Sequence, residues 1–331
     1  MNKVSVVIST YNGEKYIEEQ LESVLKQTMQ PDEVIISDDA SNDQTVLIVE
    51  DFIKKNKLEN WVIIKNRENK GWMKNFFDLL CKASGDIVFM CDQDDVWIQD
   101  KIEVMFNNMI AQPDILCLSG KYISMDDKGN IFQKTDEISH NFIEKVKYSK
   151  KFFQKSYLGC TLAVSRKLLE TYRALEWDFW GHDAICSHMA LMMDGMYILN
   201  KPVIYHRYHG NNVTTKHVDG NYGNSTLEKR ISWVEEEINY FENLKQALFV
   251  KPFSVPDIEL HLRCLRGRRK FLVNRKVFDC FKIVRFLPRT LTMHVYMSDI
   301  AYTYGIHKQL GEVLKILNNL KAKLKNILKK K

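Results

Sequence analysis

The chain has 331 residues, 45% of them hydrophobic and 27% charged, with 14 Gly and 6 Pro. That supports one large or two moderate domains around a buried core, and it excludes collagen-like and wholly disordered chains. The net charge of +6 is uneven: residues 251–331 hold 19 Lys or Arg against 5 Asp or Glu, and residues 1–250 hold 29 against 37.

Val4–Ile8 is a short apolar, β-branched run that ends at Ser9-Thr10-Tyr11-Asn12-Gly13. It reads as a first strand, not as the apolar core of a signal peptide. Ile17, Leu21, Val24 and Leu25 then recur at helical spacing until Pro31-Asp32. Glu33–Ser37 is a second buried-type strand ending at Asp38-Asp39, with Ser41 and Asp43 as candidate caps of the next helix. A third strand is predicted at Trp61–Ile64 and a helix at Gly71–Ala83. Asp86–Met90 is a fourth strand that delivers Cys91-Asp92-Gln93-Asp94-Asp95, and a helix follows from about Ile98 to Ile110.

Strand and helix thus alternate, and the strands are continuous apolar runs, as strands buried on both faces must be. The pattern predicts a doubly wound α/β domain with a mostly parallel sheet. Such sheets bind ligands at the carboxyl ends of their strands, where the polar clusters 9–13, 38–43 and 92–95 all fall. Farther on, short strands are predicted at 115–124, 158–165 and 197–208, with a helix near 183–193. Residues 211–224 are polar and rich in Gly and Asn, which reads as a mobile loop. From 226 the chain is helical, with Ile231, Val234, Ile238, Phe241, Leu244 and Leu248 on one face, interrupted at Pro252 and Pro256.

The seven cysteines are odd in number, and no pair has C-x-x-C spacing, as expected of reduced, buried thiols in a cytosolic protein. No apolar stretch approaches the ~18 residues of a spanning helix.

Asp92, Asp94 and Asp95 crowd three carboxylates into four residues. Close carboxylates raise one another's pKa unless positive charge lies between them, and a hard divalent cation supplies it. The plainer alternative is an acidic cap on the following helix. Asp38 and Asp39 suit a base or ribose, and Ser9, Thr10 and Tyr11 suit a nucleotide. G-x-G-x-x-G and G-x-x-x-x-G-K-[ST] are both absent, so the dinucleotide fingerprint and the P-loop are excluded.

Four groups of residues then match a family. They are Ser9-Thr10-Tyr11-Asn12; Asp38-Asp39-Ala40-Ser41-Asn42-Asp43 with Thr45; Asn69-Lys70-Gly71 with Asn75; and Cys91-Asp92-Gln93-Asp94-Asp95 with Trp97. In this order they resemble the family 2 glycosyltransferases of GT-A fold, over roughly residues 1–210. Asp92–Trp97 and Tyr205–Val213 are most similar to the bacterial rhamnosyltransferase-like branch.

The resemblance implies an inverting, metal-dependent transfer from a nucleotide diphosphate sugar, dTDP-rhamnose or a UDP-sugar. The acceptor would be a glycan or lipid-linked sugar in cell-surface polysaccharide synthesis. It implies Mn²⁺ or Mg²⁺ on Asp92, Asp94 and His209, and Asp183 as catalytic base. Donor contacts would fall on Thr10, Tyr11, Asn12, Asp38, Asp39, Arg67, Asn69, Gly71, Asn75 and Asp92. Trp180 and His182 are acceptor-side candidates, with Trp177 nearby. Many members have Glu-Asp where this chain has His182-Asp183, which leaves Asp183 as the carboxylate there. Strand alternation turns His206 to the face opposite His209. The alternatives are a nucleotidyltransferase, whose Gly-rich basic N-terminal loop is not seen, and a non-catalytic sugar-nucleotide-binding membrane scaffold.

The domain reading is 1–224 for the transferase, with a donor half of about 1–112 and an acceptor half of about 113–224, then a helical basic region at 225–331. Leu310, Val313, Leu314, Leu317, Leu320, Leu324, Ile327 and Leu328 recur at spacings of three and four among five lysines. Arg263–Arg289 mixes basic and apolar residues similarly. Such segments suit an anionic membrane surface or a homo-oligomer contact, and no nucleic-acid motif is present. The expected location is cytoplasmic, on the inner face of the cell membrane.

Overall fold

The computed structural model describes residues 2–133, 142–147, 157–174, 181–210, 226–247, 255–287 and 290–306. The chain divides into two compact units, residues 1–210 with 246–254, and residues 211–245 with 255–331.

The first unit is built on one mixed sheet. Its strands are β1 (Val4–Thr10), β2 (Glu33–Asp38), β3 (Trp61–Lys65), β4 (Ile87–Asp92), β5 (Val96–Trp97), β6 (Cys117–Asp126), β7 (Ile131–Gln133), β8 (Ile143–Lys145), β9 (Leu162–Ser165) and β10 (Met196–Tyr208). The order is β3-β2-β1-β4-β9-β6-β10-β5, with β7 on β6 and β8 on β10. β3, β2, β1 and β4 are mutually parallel. β9 runs antiparallel to both β4 and β6, so β6 and its parallel neighbour β10 point the same way as β1. The predicted mostly parallel α/β sheet is therefore present, with the short strands β5, β7, β8 and β9 reversed.

The helices α1 (Ile17–Leu25), α2 (Thr45–Asn56), α3 (Trp72–Lys82) and α4 (Lys101–Ala111) follow β1, β2, β3 and β5. α5 (Arg166–Tyr172) and α6 (His182–Met192) precede β10. Ile17, Leu21 and Val24 of α1 are buried and pack with Val6 and Ile8 of β1 and Val34 and Ile36 of β2 in the main core. β1 is buried on both faces, which is why it reads as an apolar run up to Ile8, broken only by Ser5, whose buried hydroxyl donates to Glu33 and accepts from the Gly85 amide.

Two local expectations are corrected. Ser41 does not cap α2; its hydroxyl donates to Asp38 (2.6 Å), while Asp43 accepts from the Thr45 amide (3.0 Å). α4 begins at Lys101 rather than Ile98, because Val96-Trp97 first pairs with Ile204 and Tyr205 of β10. Gln27 Oε1 then accepts from the Ile102 amide (3.0 Å) at the start of the helix.

In the second unit, α7 (Leu227–Ala247), α8 (Val255–Asn274), α9 (Val277–Val284) and α10 (Met293–Thr303) are described. Pro256 falls in the first turn of α8, where a missing N–H costs nothing. Asp299, 1% exposed, accepts from Arg230 Nε (2.6 Å) and Arg268 Nε (2.8 Å). Part of the basic segment thus serves intramolecular pairing. The predicted loop at 211–224 and the Leu310–Leu328 stripe lie outside the described residues. Among those described, no helix is long and apolar enough to cross a membrane.

Candidate active site

Parallel register gathers the predicted residues at the carboxyl edge of the sheet. Ser9 lies beside Asp92 and Thr10 beside Asp38. Thr10 Oγ1 donates to Asp38 Oδ1 (2.9 Å), and the Ser41 amide donates to Asp38 Oδ2 (2.8 Å). Asp39 accepts from the amides of Lys70 (2.9 Å) and Gly71 (2.8 Å) and from Asn66 Nδ2 (3.0 Å). Gly71 allows this turn with a φ of 84°, a conformation that favours glycine. Asn69 Oδ1 also accepts from the Gly71 amide (3.0 Å). Asp38 and Asp39 therefore shape the loops that surround them.

Asn75 is fully buried. Its amide group donates to Ser9 Oγ and the Ser37 carbonyl, and it accepts from Ser37 Oγ and Asn66. It ties β1, β2 and α3 together from inside, rather than standing open to a ligand. Tyr11 is 44% exposed, and Gln93 clamps its backbone, accepting from the amide (2.8 Å) and donating to the carbonyl (3.0 Å). A Cβ on Gly13 would lie 2.2 Å from Gln93 Oε1, so the clamp requires glycine there. Asn12 exchanges bonds with Ser41 and Asn42. Arg67 is exposed on the loop after β3.

The acidic turn follows β4. Burial and the charges of Asp95 and Asp94 push the Asp92 carboxyl up to about 8, and Asp183 adds to the effect. Asp183, in the first turn of α6, thus bears electrostatically on the same carboxylate. Asp183 Oδ1 accepts from the Ala184 amide (2.8 Å). His209 Nε2 lies 2.8 Å from Asp94 Oδ2. This direct contact keeps an imidazole and a carboxylate side by side at the edge of the acidic turn. Carboxylate and imidazole donors suit Mn²⁺ and are acceptable to Mg²⁺.

A supporting layer that no local sequence pattern marks lies behind this pair. Arg207, buried at 3% exposure, donates from Nε to the Asp94 carbonyl (2.9 Å) and pairs with Glu19 (2.5 Å). Tyr16 stacks on the His209 ring (4.8 Å) and donates its hydroxyl to Asp127. Asp95, 1% exposed, accepts from the Arg207 amide (3.0 Å) and is joined to His206 Nδ1 (2.8 Å). Burial works against both charges, but the Asp95 bond and charge hold His206 above its ordinary value, and His206 holds Asp95 below its own. His206 and His209 therefore both reach the acidic turn, on different carboxylates, which corrects the expectation from alternation.

Donor atoms of Asp95, Cys160 and His206 lie within 4.8 Å of one another. His206 already balances Asp95, and the Lys101 ammonium sits on the Cys160 carbonyl (2.6 Å). We read this set as a hydrogen-bonded floor under the turn.

His182 is 4% exposed, so it is an internal residue rather than an acceptor surface. Its ring stacks on Phe76 (3.8 Å), meets Trp72 edge-on (6.0 Å), and neither nitrogen has a hydrogen-bond partner among the described residues. Trp177 and Trp180 lie outside the described residues.

The model of the family Glycosyl transferase family 2 matches residues 5–173. The chain is 28% identical over 262 residues to a dTDP-rhamnosyl transferase of Shigella flexneri, covering 71% of this chain and 83% of that protein. It is 28% identical over 172 residues to a UDP-Glc:alpha-D-GlcNAc-diphosphoundecaprenol beta-1,3-glucosyltransferase of Escherichia coli, covering 51% of this chain and 62% of that one. In fold it is similar to residues 1–349 of Staphylococcus aureus TarS in complex with UDP-GlcNAc, with a TM-score of 0.58 and 20% identity over 86% of this chain and 91% of that one. With the acidic turn at the carboxyl edge of a GT-A-like sheet, these matches show that the chain belongs to glycosyl transferase family 2 and is an inverting glycosyltransferase.

Proposed function

We propose that this enzyme moves a sugar from a nucleotide diphosphate donor to a hydroxyl of a glycan or lipid-linked acceptor in cell-surface polysaccharide synthesis. The observation that carries the reading is the 2.8 Å pairing of His209 with Asp94, next to Asp92 at the carboxyl edge of the sheet. A dTDP-sugar or a UDP-sugar donor is supported by the names of the relatives above.

Asp94 and His209, with Asp92 beside them, would hold a Mn²⁺ or Mg²⁺ ion. When bound, such an ion neutralises negative charge that grows on the departing diphosphate. Asp183 accepts the proton of the acceptor hydroxyl. The oxygen attacks the anomeric carbon from the face opposite the diphosphate, a new C–O bond forms, and the bond to the diphosphate breaks with inversion. Gln93 and the loop from Tyr11 to Gly13 fix the donor side, and Asp39 fixes the loop from Asn66 to Gly71.

A general base supplies about 10²–10⁴-fold, or about 3–5.5 kcal/mol of barrier. Asp183→Asn should lower transfer by about that factor and leave donor affinity within about twofold. His209→Ala and Asp94→Ala should instead abolish the metal-dependent thermal shift given by a nucleoside diphosphate. A panel of UDP, dTDP, GDP and CDP, each with and without Mn²⁺ or Mg²⁺, identifies the donor class. Full transfer activity in Asp183→Asn would sink the mechanism.

A further inference from the structure

α9 is apolar on two sides. Cys280 and Ile283 within the helix and Phe286 just beyond its end turn inward onto a cluster with Cys264, Phe271, Leu291 and Tyr296. The other side presents Val277, Phe278, Phe281 and Val284, which are 57%, 71%, 67% and 42% exposed. Their spacing places them in one stripe along the helix. A helix that is apolar all round is ordinarily buried, so an open stripe with two phenylalanines calls for an occupant.

The charges around the stripe select that occupant. Arg275, Lys276, Lys282 and Arg285 are exposed on or just outside the helix; its acid, Asp279, is 6% exposed and lies 3.8 Å from the Lys282 ammonium, which leaves the other three cations to set the sign of the face. The Lys282 ammonium lies 4.5 Å from the centre of the Phe278 ring, so cation and aromatic share one surface. A symmetric second copy would set these cations against their own images. The apolar stripe of Leu310–Leu328 carries Lys315, Lys321, Lys323, Lys325 and Lys329, so docking it here would again bring like charges together. An anionic lipid surface satisfies both features: aromatic rings enter the acyl boundary while long basic side chains reach the headgroups.

We propose that α9 docks on an anionic lipid bilayer, with Phe278 and Phe281 in the interface and Lys282 and Arg285 at the headgroups. The face lies in the helical unit, and vesicle binding requires neither donor nor acceptor. Its test is therefore separate from that of the transferase reading.

The experiment is co-sedimentation of the full chain with vesicles of phosphatidylcholine alone and of phosphatidylcholine with phosphatidylglycerol. The wild type should bind the anionic vesicles and bind the neutral ones far less. Phe278→Ser with Phe281→Ser should weaken partition by about tenfold or more on the anionic vesicles. Lys282→Ala with Arg285→Ala should weaken it by about fivefold per cation there and change little on neutral vesicles. All four side chains are exposed and the Lys282–Asp279 pair is long at 3.8 Å, so circular dichroism should not move and the thermal midpoint should change little. A wild type that ignores anionic vesicles overturns the proposal, as does a phenylalanine pair variant that binds them as well as the wild type. A loss of dimer mass in that variant, with vesicle binding intact, would assign the face to a second copy instead.

Discussion

Lys101 offers a sharp test of the electrostatics beneath the acidic turn. Its side chain is fully buried at the start of α4. The ammonium donates to the Cys160 carbonyl (2.6 Å) and stands 3.5 Å from the centre of the Trp97 ring. Burial drives its pKa from 10.5 to about 8, against the pull of neighbouring groups including Asp95 and Asp92. At about 1.4 kcal/mol per unit, that depression is a cost of about 3 kcal/mol for holding the charge inside. The folded value lies below the unfolded one, so between the two the unfolded chain binds more protons and stability rises with pH. The full cost is present below the folded pKa, and by about pH 9.5 roughly 2 kcal/mol of it is relieved. Lys101→Met keeps the length and removes the charge, but leaves the Cys160 carbonyl without this donor, a loss of about 1–3 kcal/mol. At neutral pH the two effects nearly offset, so stability should change by less than about 2 kcal/mol. The rise toward alkaline pH, however, should vanish. Urea unfolding of both chains across this range measures it, and buried thiols common to both cancel in the difference. A difference between wild type and variant that stays flat with pH would refute the reasoning.

Burial lowers His182 from 6.5 to about 4. The folded value is the lower one, so this contribution is complete above the unfolded pKa and is lost as pH falls toward the folded pKa. About 2 kcal/mol should be gone by about pH 5, and His182→Leu should flatten that acid arm in denaturant titrations. Asp299→Ala leaves the buried Arg230 and Arg268 without their shared carboxylate and should cost about 3–5 kcal/mol in unfolding free energy. Arg266→Ala breaks an ion pair whose arginine side chain is 53% exposed, and should cost less than about 1 kcal/mol in the same assay.

The donor half was the most legible part of the chain, for a physical reason. Strands buried on both faces favour apolar residues throughout, so β1, β2 and β4 appear as apolar runs, interrupted only by Ser5 in β1, with abrupt polar ends. Those ends mark the carboxyl edge of the sheet, where Asp38, Asp39 and Asp92 lie. β5 has two residues and β7 and β8 have three each, too few for any periodicity to show. That β9 inserts antiparallel between β4 and β6 is set by long-range pairing, which a local pattern does not carry. Asn75 matched a motif, but its role as an internal tie emerges only from its four side-chain hydrogen bonds, three of them to Ser9 and Ser37 far away in sequence.

His206 and His209 show where pattern reasoning stops. Alternation assigns them opposite faces, and that holds only while the chain remains a strand. β10 ends at Tyr208, so His209 is free of the pleat and turns toward Asp94, while His206 reaches Asp95 from within the strand. Asp94 and Asp95 are successive residues of a turn, and their carboxylates diverge, one to each histidine. Arg207, between the two histidines, closes the arrangement: its amide bonds Asp95, its Nε bonds the Asp94 carbonyl, and its guanidinium lies 5.2 Å from the Tyr16 ring that backs His209. Arg207 thus touches both carboxylate-bearing residues of the turn and the ring that backs His209, contacts that become visible only when β10 is laid beside the acidic turn.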